Sequence, residues 1–356
     1  MAGMETIALQ AITPGGPLQT AVIRRRPLRD DDVDIRITFC GVCHSDLHAL
    51  HAGAGGTYPL VPGHEFIGEV AAVGPAVTRF APGDTVAVGN IVDSCGACRM
   101  CRAGQENFCE EFPTLTYGGQ DRVDGSTTAG AYAGRYVARE DFVYALPDGL
   151  DPAGAAPLMC AGVTVWEPLR AAGVGPGTRL GVVGLGGLGH LAVRLGRALG
   201  AEVTVFTTTP AKAADARALG AGKVIVSTDA RAMQESRGTL DVVLDTVAVE
   251  HDLAPYLRAL DLDGILYSLG YLGPFTLATT DLLIGRKRLA SAGSGGHRRT
   301  RELLDFCARH GIVADVETLP WKEADLALER LARNDVRYRF VLDLRGIDEG
   351  LEHKAE

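Results

Sequence analysis

The stretch from Arg179 to Val193 reads Arg-Leu-Gly-Val-Val-Gly-Leu-Gly-Gly-Leu-Gly-His-Leu-Ala-Val, and it leaves this part of the chain few folds to adopt. An apolar run, a glycine cluster and an amphipathic stretch to Leu199 spell strand, tight turn and helix. Gly184 suits the turn, Gly186 the close approach of a pyrophosphate to the backbone, and Gly189 the packing of helix on strand; Leu185, Gly187 and Leu188 complete the loop. A plain glycine-rich turn shares that composition. The flanking strand, the helix and a second strand at Glu202 to Phe206 supply the context that favours a dinucleotide loop. A helix at Pro210 to Leu219, a strand at Lys223 to Ser227, a strand at 240 to 247, a helix at Asp252 to Ala259 and a strand at 264 to 270 follow. Alternating units of this length make a doubly wound parallel sheet. Ser268 and Gly270, closing the last of these strands, join the expected nucleotide site.

The residues ahead of this segment have another texture. Between 4 and 40, and again between 59 and 89, short runs alternate apolar with polar residues and are punctuated by Pro14-Gly15-Gly16, Pro27 and Pro82-Gly83-Asp84. An irregular, barrel-like all-β domain fits this pattern. The closing segments, a helix at Thr300 to Arg309, a helix at Lys322 to Arg333 and a strand Arg-Phe-Val-Leu-Asp-Leu, are expected to return to that domain and make it discontinuous. The expected division is 1–157 with 298–356, and 158–297.

Seven of the eight cysteines lie in the first half, at 40, 43, 95, 98, 101, 109 and 160. Cys95, Cys98, Cys101 and Cys109 place four thiols on one short loop that Gly96 and Gly104 allow to turn. A closed, tetrahedral structural zinc site needs that ligand set, and chance clustering or redox thiols account poorly for two overlapping Cys-x-x-Cys units. Cys40 and Cys307 read as small buried apolar residues, and Trp166 and Trp321 as core packing.

A length of 356 residues suits two domains, and a formal charge of -9 argues against nucleic-acid or anionic-membrane partners. The start of the chain has no basic segment leading into an apolar run, and no stretch of about eighteen apolar residues occurs, so a cytoplasmic location is expected.

Taken together, Gly-Val-Cys-His-Ser-Asp-Leu-His (41–48), Pro-Gly-His-Glu-Phe-Ile-Gly-Glu-Val (62–70), the cysteine lobe, Pro-Leu-Met-Cys-Ala-Gly (157–162), the glycine loop and the tail through Asn-Asp-Val-Arg-Tyr-Arg-Phe-Val resemble the zinc-dependent medium-chain alcohol dehydrogenases. The branch is that of cinnamyl alcohol dehydrogenases and broad-range aldehyde reductases. The resemblance implies an α/β protein: a GroES-like irregular β-barrel catalytic domain plus a doubly wound Rossmann domain. It implies two zinc ions per chain, NADP(H), an aldehyde or alcohol substrate and a homodimer paired through sheet edges, for which the apolar runs 264–277 and 281–284 are the expected source. Cys43, His64 and Cys160 would ligate the catalytic zinc, with Glu65 an alternating fourth ligand. Asp46 would orient a ligand histidine, Ser45 would pass a proton to His48, and His44 would contact the cofactor pyrophosphate. His51 is expected to be exposed.

The second Rossmann strand ends Thr207-Thr208-Thr209 with Lys212 following, and the absence of a carboxylate there suits a 2'-phosphate, hence NADPH; an Asp at Thr207 should reverse the preference. Relatives often carry a bulky aromatic, commonly tryptophan, at the substrate pocket within the stretch that corresponds to residues 48–61; here there is no tryptophan and a lone Tyr58, so the resemblance implies a wide pocket mouth, and Leu115 to Tyr117 should line that pocket. The competing activity is reduction of an imine or conjugated alkene on the same fold.

Overall fold

A computed structural model of the chain describes residues 3–52 and 57–352. It divides into two compact units, Met1–Cys160 with Gly295–Glu356, and Ala161–Ser294.

The first unit is built on the strand Asp32–Val42. Its apolar residues Val33, Ile35, Ile37, Cys40 and Val42 are all at most 1 % exposed, so both its neighbours and its length follow from what it must bury. Phe66–Val73 and Arg135–Arg139 pair with it antiparallel along one side and part of the other. Thr85–Val88 and Val143–Ala145 continue the seven-stranded sheet on one flank, Arg339–Asp343 and Val316–Pro320 on the other. Glu5–Ala11 with Leu18–Arg24, and Ile91–Asp93 with Thr114–Leu115, form two-stranded ribbons beside it. The C-terminal strand thus lies against the strand that leads into Cys43, with Phe340 opposite Val42. Near 129–136 the chain is stapled by Arg25, whose buried guanidinium donates to the carbonyls of Arg135, Ala129 and Gly130 at 2.8, 2.5 and 2.6 Å and stacks 4.7 Å from the Tyr136 ring centre. Cys40 and Cys307 are fully buried, Trp166 is 1 % exposed and Trp321 packs against the first unit's core.

The second unit holds a six-stranded parallel sheet. Its spatial order is Lys223–Val226, Glu202–Thr207, Arg179–Val183, Leu240–Asp245, Leu260–Ser268, Arg288–Ser291. In chain order that is 3-2-1-4-5-6, the arrangement whose reversal point beside the first strand receives a dinucleotide. Val183, Phe206, Leu240, Val243, Leu257 and Leu266 form its core.

Several boundaries differ from expectation for local reasons. The helix Pro210–Leu219 is a 3-10 turn, Pro210–Lys212, followed by Ala213–Ala218, because proline at the start favours a tight first turn. The fifth strand begins earlier, at Leu260, and ends at Ser268, leaving Gly270 in the following loop. That strand is paired on both sides, so the 264–277 run is not a sheet edge; the edge on that side is the short Arg288–Ser291, whose composition carries no strand signal, and the opposite edge is Lys223–Val226. Leu272, Phe275, Leu283 and Ile284 are nonetheless exposed. Among the described residues no helix is long and apolar enough to cross a membrane.

Candidate active site

Gly-Val-Cys-His-Ser-Asp-Leu-His leaves the Asp32–Val42 strand and turns directly into a helix, His44–Leu50, which the sequence reading did not anticipate. Cys43 is its N-cap residue in extended conformation, and Asp46 at the third helical position reaches back to accept the Cys43 backbone N–H at 2.9 Å. The same carboxylate accepts the N–H of Gly63 at 3.0 Å and faces Nδ1 of His64 at 2.9 Å. Asp46 is fully buried, and a carboxylate without solvent is tolerable there because these donors satisfy it. Gly63 has φ +98°, and a Cβ at that position would stand 2.5 Å from the Tyr132 ring, so both conformation and space require glycine.

With Nδ1 committed to Asp46, Nε2 of His64 is turned to Cys160, 3.2 Å from its sulfur. Cys160 follows the 3-10 turn Ala156–Met159, and its Sγ lies 3.8 Å from Sγ of Cys43. The three ligand atoms lie within 4.8 Å of one another. Two sulfurs and one imidazole nitrogen converging in a buried site form a soft donor set suited to zinc. The thiols titrate against each other: the contact with Cys160 drives Cys43 well down, and the same contact drives Cys160 well up. Burial opposes a charged His64, but Asp46 and Cys43 outweigh it and raise the imidazole. A metal would take the place of that shared proton.

Glu65 does not join this group. It is fully buried and ion-paired with Arg339, a 2 % exposed residue that the sequence reading passed over. Burial pushes the Glu65 carboxyl up, and the guanidinium in contact with it pulls it back. An arginine opening an otherwise apolar strand, Arg-Phe-Val-Leu-Asp, was the available signal. Ser45 and His48 face solvent on the His44–Leu50 helix, Ser45 Oγ 3.5 Å from Cys43 Sγ. His44 is half-buried, its ring 6.4 Å from that of His48. His51 is exposed. Tyr117 packs its ring edge-on to His64 at 5.7 Å, whereas Thr116 is buried and bonded to Gly89 and Leu115 is half-buried. Residues 53–56, the centre of the tryptophan-free stretch, lie outside the described residues.

The four remaining metal-type cysteines converge independently. All four sulfurs of Cys95, Cys98, Cys101 and Cys109 lie within 4.8 Å of one another. Backbone N–H groups of Cys98, Cys101 and Cys95 point at sulfurs of Cys95, Cys98 and Cys109 at 3.3 to 3.5 Å, and backbone donors hold the Cys98 thiol down at about 6. Gly96 and Gly104 both have positive φ, +66° and +71°.

In the second unit Gly184 has φ +88° and a Cβ on Gly189 would stand 2.2 Å from the Gly184 carbonyl oxygen. A Cβ on Gly186 would meet nothing within 4 Å, so the loop presents an open backbone surface between Leu185 and Leu188 with Gly187 beside it. Ser268 is buried at the end of its strand; a Cβ on Gly270 would strike Thr246 and Val247. Lys212 donates to the Leu185 carbonyl at 3.4 Å, which joins the post-strand loop to the glycine loop. Thr207 is buried with its hydroxyl accepting from Thr209 N–H at 3.2 Å, whereas Thr208 and Thr209 are exposed.

Comparison with known proteins agrees with this geometry. Residues 29–148 match the alcohol dehydrogenase GroES-like domain and residues 187–309 the zinc-binding dehydrogenase family. A probable mannitol dehydrogenase of Fragaria ananassa is 47 % identical over 90 % of each chain. The chain belongs to the zinc-binding alcohol dehydrogenases. Within this family, the cinnamyl alcohol dehydrogenase of Sorghum bicolor superposes with a TM-score of 0.93 at 42 % identity, covering 96 % of this chain and 98 % of that one. The Helicobacter pylori cinnamyl alcohol dehydrogenase complexed with NADP(H) gives 0.90 at 31 %, covering 97 % and 99 %. The dehydrogenase is thus a zinc-dependent alcohol and aldehyde oxidoreductase with a GroES-like unit and a Rossmann unit; imine or alkene reduction is not favoured.

Proposed function

We propose that this dehydrogenase chiefly reduces bulky or aromatic aldehydes to primary alcohols with NADPH. The observation that carries this reading is the convergence of Cys43, His64 and Cys160, oriented by Asp46, on the same chain as an open glycine loop with Lys212 bonded to it. When bound, zinc supplies a Lewis acid for the carbonyl oxygen and the reduced nicotinamide supplies the hydride. The chain does the rest. Cys43, His64 and Cys160 hold the metal, and Asp46 fixes the His64 tautomer so that Nε2 presents its lone pair. Ser45 and His48, both solvent-facing, carry the proton to the product oxygen. Cys95, Cys98, Cys101 and Cys109 hold a second, structural zinc. Gly184 to Gly189, Ser268, Gly270 and His44 bind the nucleotide, and Thr208, Thr209 and Lys212 accept its 2'-phosphate. The NADP(H) complex of a relative supports the cofactor, and the cinnamyl names of the relatives support an aromatic substrate.

A homodimer in the cytoplasm completes the reading. The exposed Leu272, Phe275, Leu283 and Ile284 near the Arg288–Ser291 edge support association. Sedimentation should show twice the chain mass at micromolar concentration; a monomer there would overturn this part. The decisive experiment is the initial rate of NADPH oxidation with aromatic and aliphatic aldehydes, beside NADH, on protein assayed for zinc. Two zincs per chain and fast, NADPH-selective turnover are expected, and one zinc with no turnover would refute the proposal.

A further inference from the structure

Asp245 is the last residue of the strand Leu240–Asp245, fully buried, and lies opposite Val183, which leads into Gly184. It therefore stands where the sheet order reverses, at the end of the strands that receives a dinucleotide. Its Oδ1 accepts the Val247 N–H at 3.2 Å and faces Nε2 of the half-buried His251 at 3.4 Å. Nδ1 of that ring donates to the Val249 carbonyl at 2.9 Å, so it carries a proton. Among the described residues neither Asp245 Oδ2 nor His251 Nε2 has a hydrogen-bond partner, and no other cation pairs with the carboxylate. The attraction between them is ionic and calls for a second proton on the ring. Asp245 draws the imidazole above its ordinary 6.5, with burial opposing; Asp252 acts in the same direction, and the Tyr256 ring faces it at 6.0 Å. The backbone between the two partners is a wall of the glycine loop. Thr246 donates to the Val183 carbonyl at 2.7 Å, and a Cβ on Gly184 would stand 3.1 Å from Thr246 Oγ1 and 3.2 Å from Val247 Cγ2. Without its cation the buried carboxylate is uncompensated where it stands, and its field opposes the diphosphate that the neighbouring loop must receive.

We propose that His251 is a positioning residue for the cofactor, an imidazolium that holds the segment Thr246–Glu250 against the glycine loop and neutralises Asp245 beside the diphosphate. This rests on the reading of Gly184 to Gly189 as the nucleotide loop. A pH dependence of binding follows. The imidazole is charged below its raised titration point, and the ion pair is lost as the pH rises through it, so NADPH affinity falls in that direction.

The test uses the zinc-loaded full chain and NADPH, with nucleotide fluorescence as the readout of binding and the ring signals of His251 in NMR as the readout of its charge. His251→Phe keeps a ring and removes the charge. It should raise Kd for NADPH about tenfold or more at low salt, and it should lose the part of the wild-type pH profile that belongs to this group. Asp245→Asn combined with His251→Phe should bring Kd back to within about threefold of the wild type, since no buried charge is then left over; a ring that merely packs would not be rescued in this way. In the wild type the His251 signals should titrate above 6.5, and in Asp245→Asn at lower pH. Should His251→Phe fail to fold, His251→Gln carries the same test. Wild-type affinity with an unchanged pH profile in the single variant, or a double variant as weak as the single, would overturn the proposal. Failure of the wild-type chain to bind either NADPH or NADH would overturn the nucleotide-loop reading itself, and the proposal with it.

Discussion

Asp46 shows how one side chain can serve three purposes. It caps the His44–Leu50 helix, ties Gly63 to that helix and sets the tautomer of His64, with each contact between 2.9 and 3.0 Å. Asp46→Asn retains the shape but presents one side as a donor, which conflicts with N–H groups that point at it. Metal affinity at Cys43, His64 and Cys160 should fall about 10- to 100-fold, read by chelator competition with the four-cysteine site as internal reference. Ser45 and His48 differ in kind because neither packs into the core. Ser45→Ala should lower kcat by roughly a hundredfold in aldehyde reduction and leave metal content and thermal stability unchanged. At Lys212 the expectation concerns cofactor choice. Lys212→Ala should raise KM for NADPH about tenfold or more with little effect on NADH, a loss of one charge-assisted contact. The acidic swap that would favour NADH belongs at the exposed Thr208, since Asp at Thr207 would be buried against the Thr209 amide.

At the scale of elements, buried or half-buried ion pairs lace the loops of the first unit to its sheet. Arg29 grips Asp121 through two hydrogen bonds of 2.9 Å, and Arg26 reaches the same carboxylate at 3.3 Å. Partial burial works against the charge on Asp121, but Arg29 and the N–H groups of Val123 and Asp124 win and hold the carboxyl at about 2. Because the folded value lies below the ordinary 3.8, the stabilisation is complete above about pH 4 and is lost as the pH falls toward 2. Asp121→Asn should therefore cost about 1–2 kcal/mol at pH 7 and flatten the acid limb of the unfolding curve, measured by urea titration at pH 7 and pH 3. Glu106 plays a comparable part between the cysteine lobe and the helix His297–His310, whose first N–H it accepts at 2.8 Å. Glu106→Ala should lower stability by about 1 kcal/mol through loss of that cap, seen as a lower Tm with zinc content preserved. Glu106 and His297 are 191 residues apart in sequence, and neither the lobe nor the helix has a local pattern that announces the other.

For the whole molecule, what was legible in advance follows from how local the physical cause is. The glycine loop, the alternating strands and helices after it and the four-cysteine lobe are short-range patterns, since turn conformation, amphipathic period and ligand spacing all act within a few residues. They were readable for that reason, and so was the family, which whole-chain similarity shows. The start of the helix at Cys43 is not legible in the sequence because its N-cap residue is a cysteine and not one of the usual capping residues. The sheet edge was misplaced because Arg288–Ser291 is too short and too polar to look like a strand, and only pairing with Leu260–Ser268 makes it one. Residue types and spacing by themselves determined the four-cysteine zinc-type ligand set, a dinucleotide loop and two kinds of domain. Tertiary structure alone decided that Cys160 meets Cys43 across 117 residues and that Arg339 meets Glu65 across 274, because contacts between distant strands depend on sheet order and register.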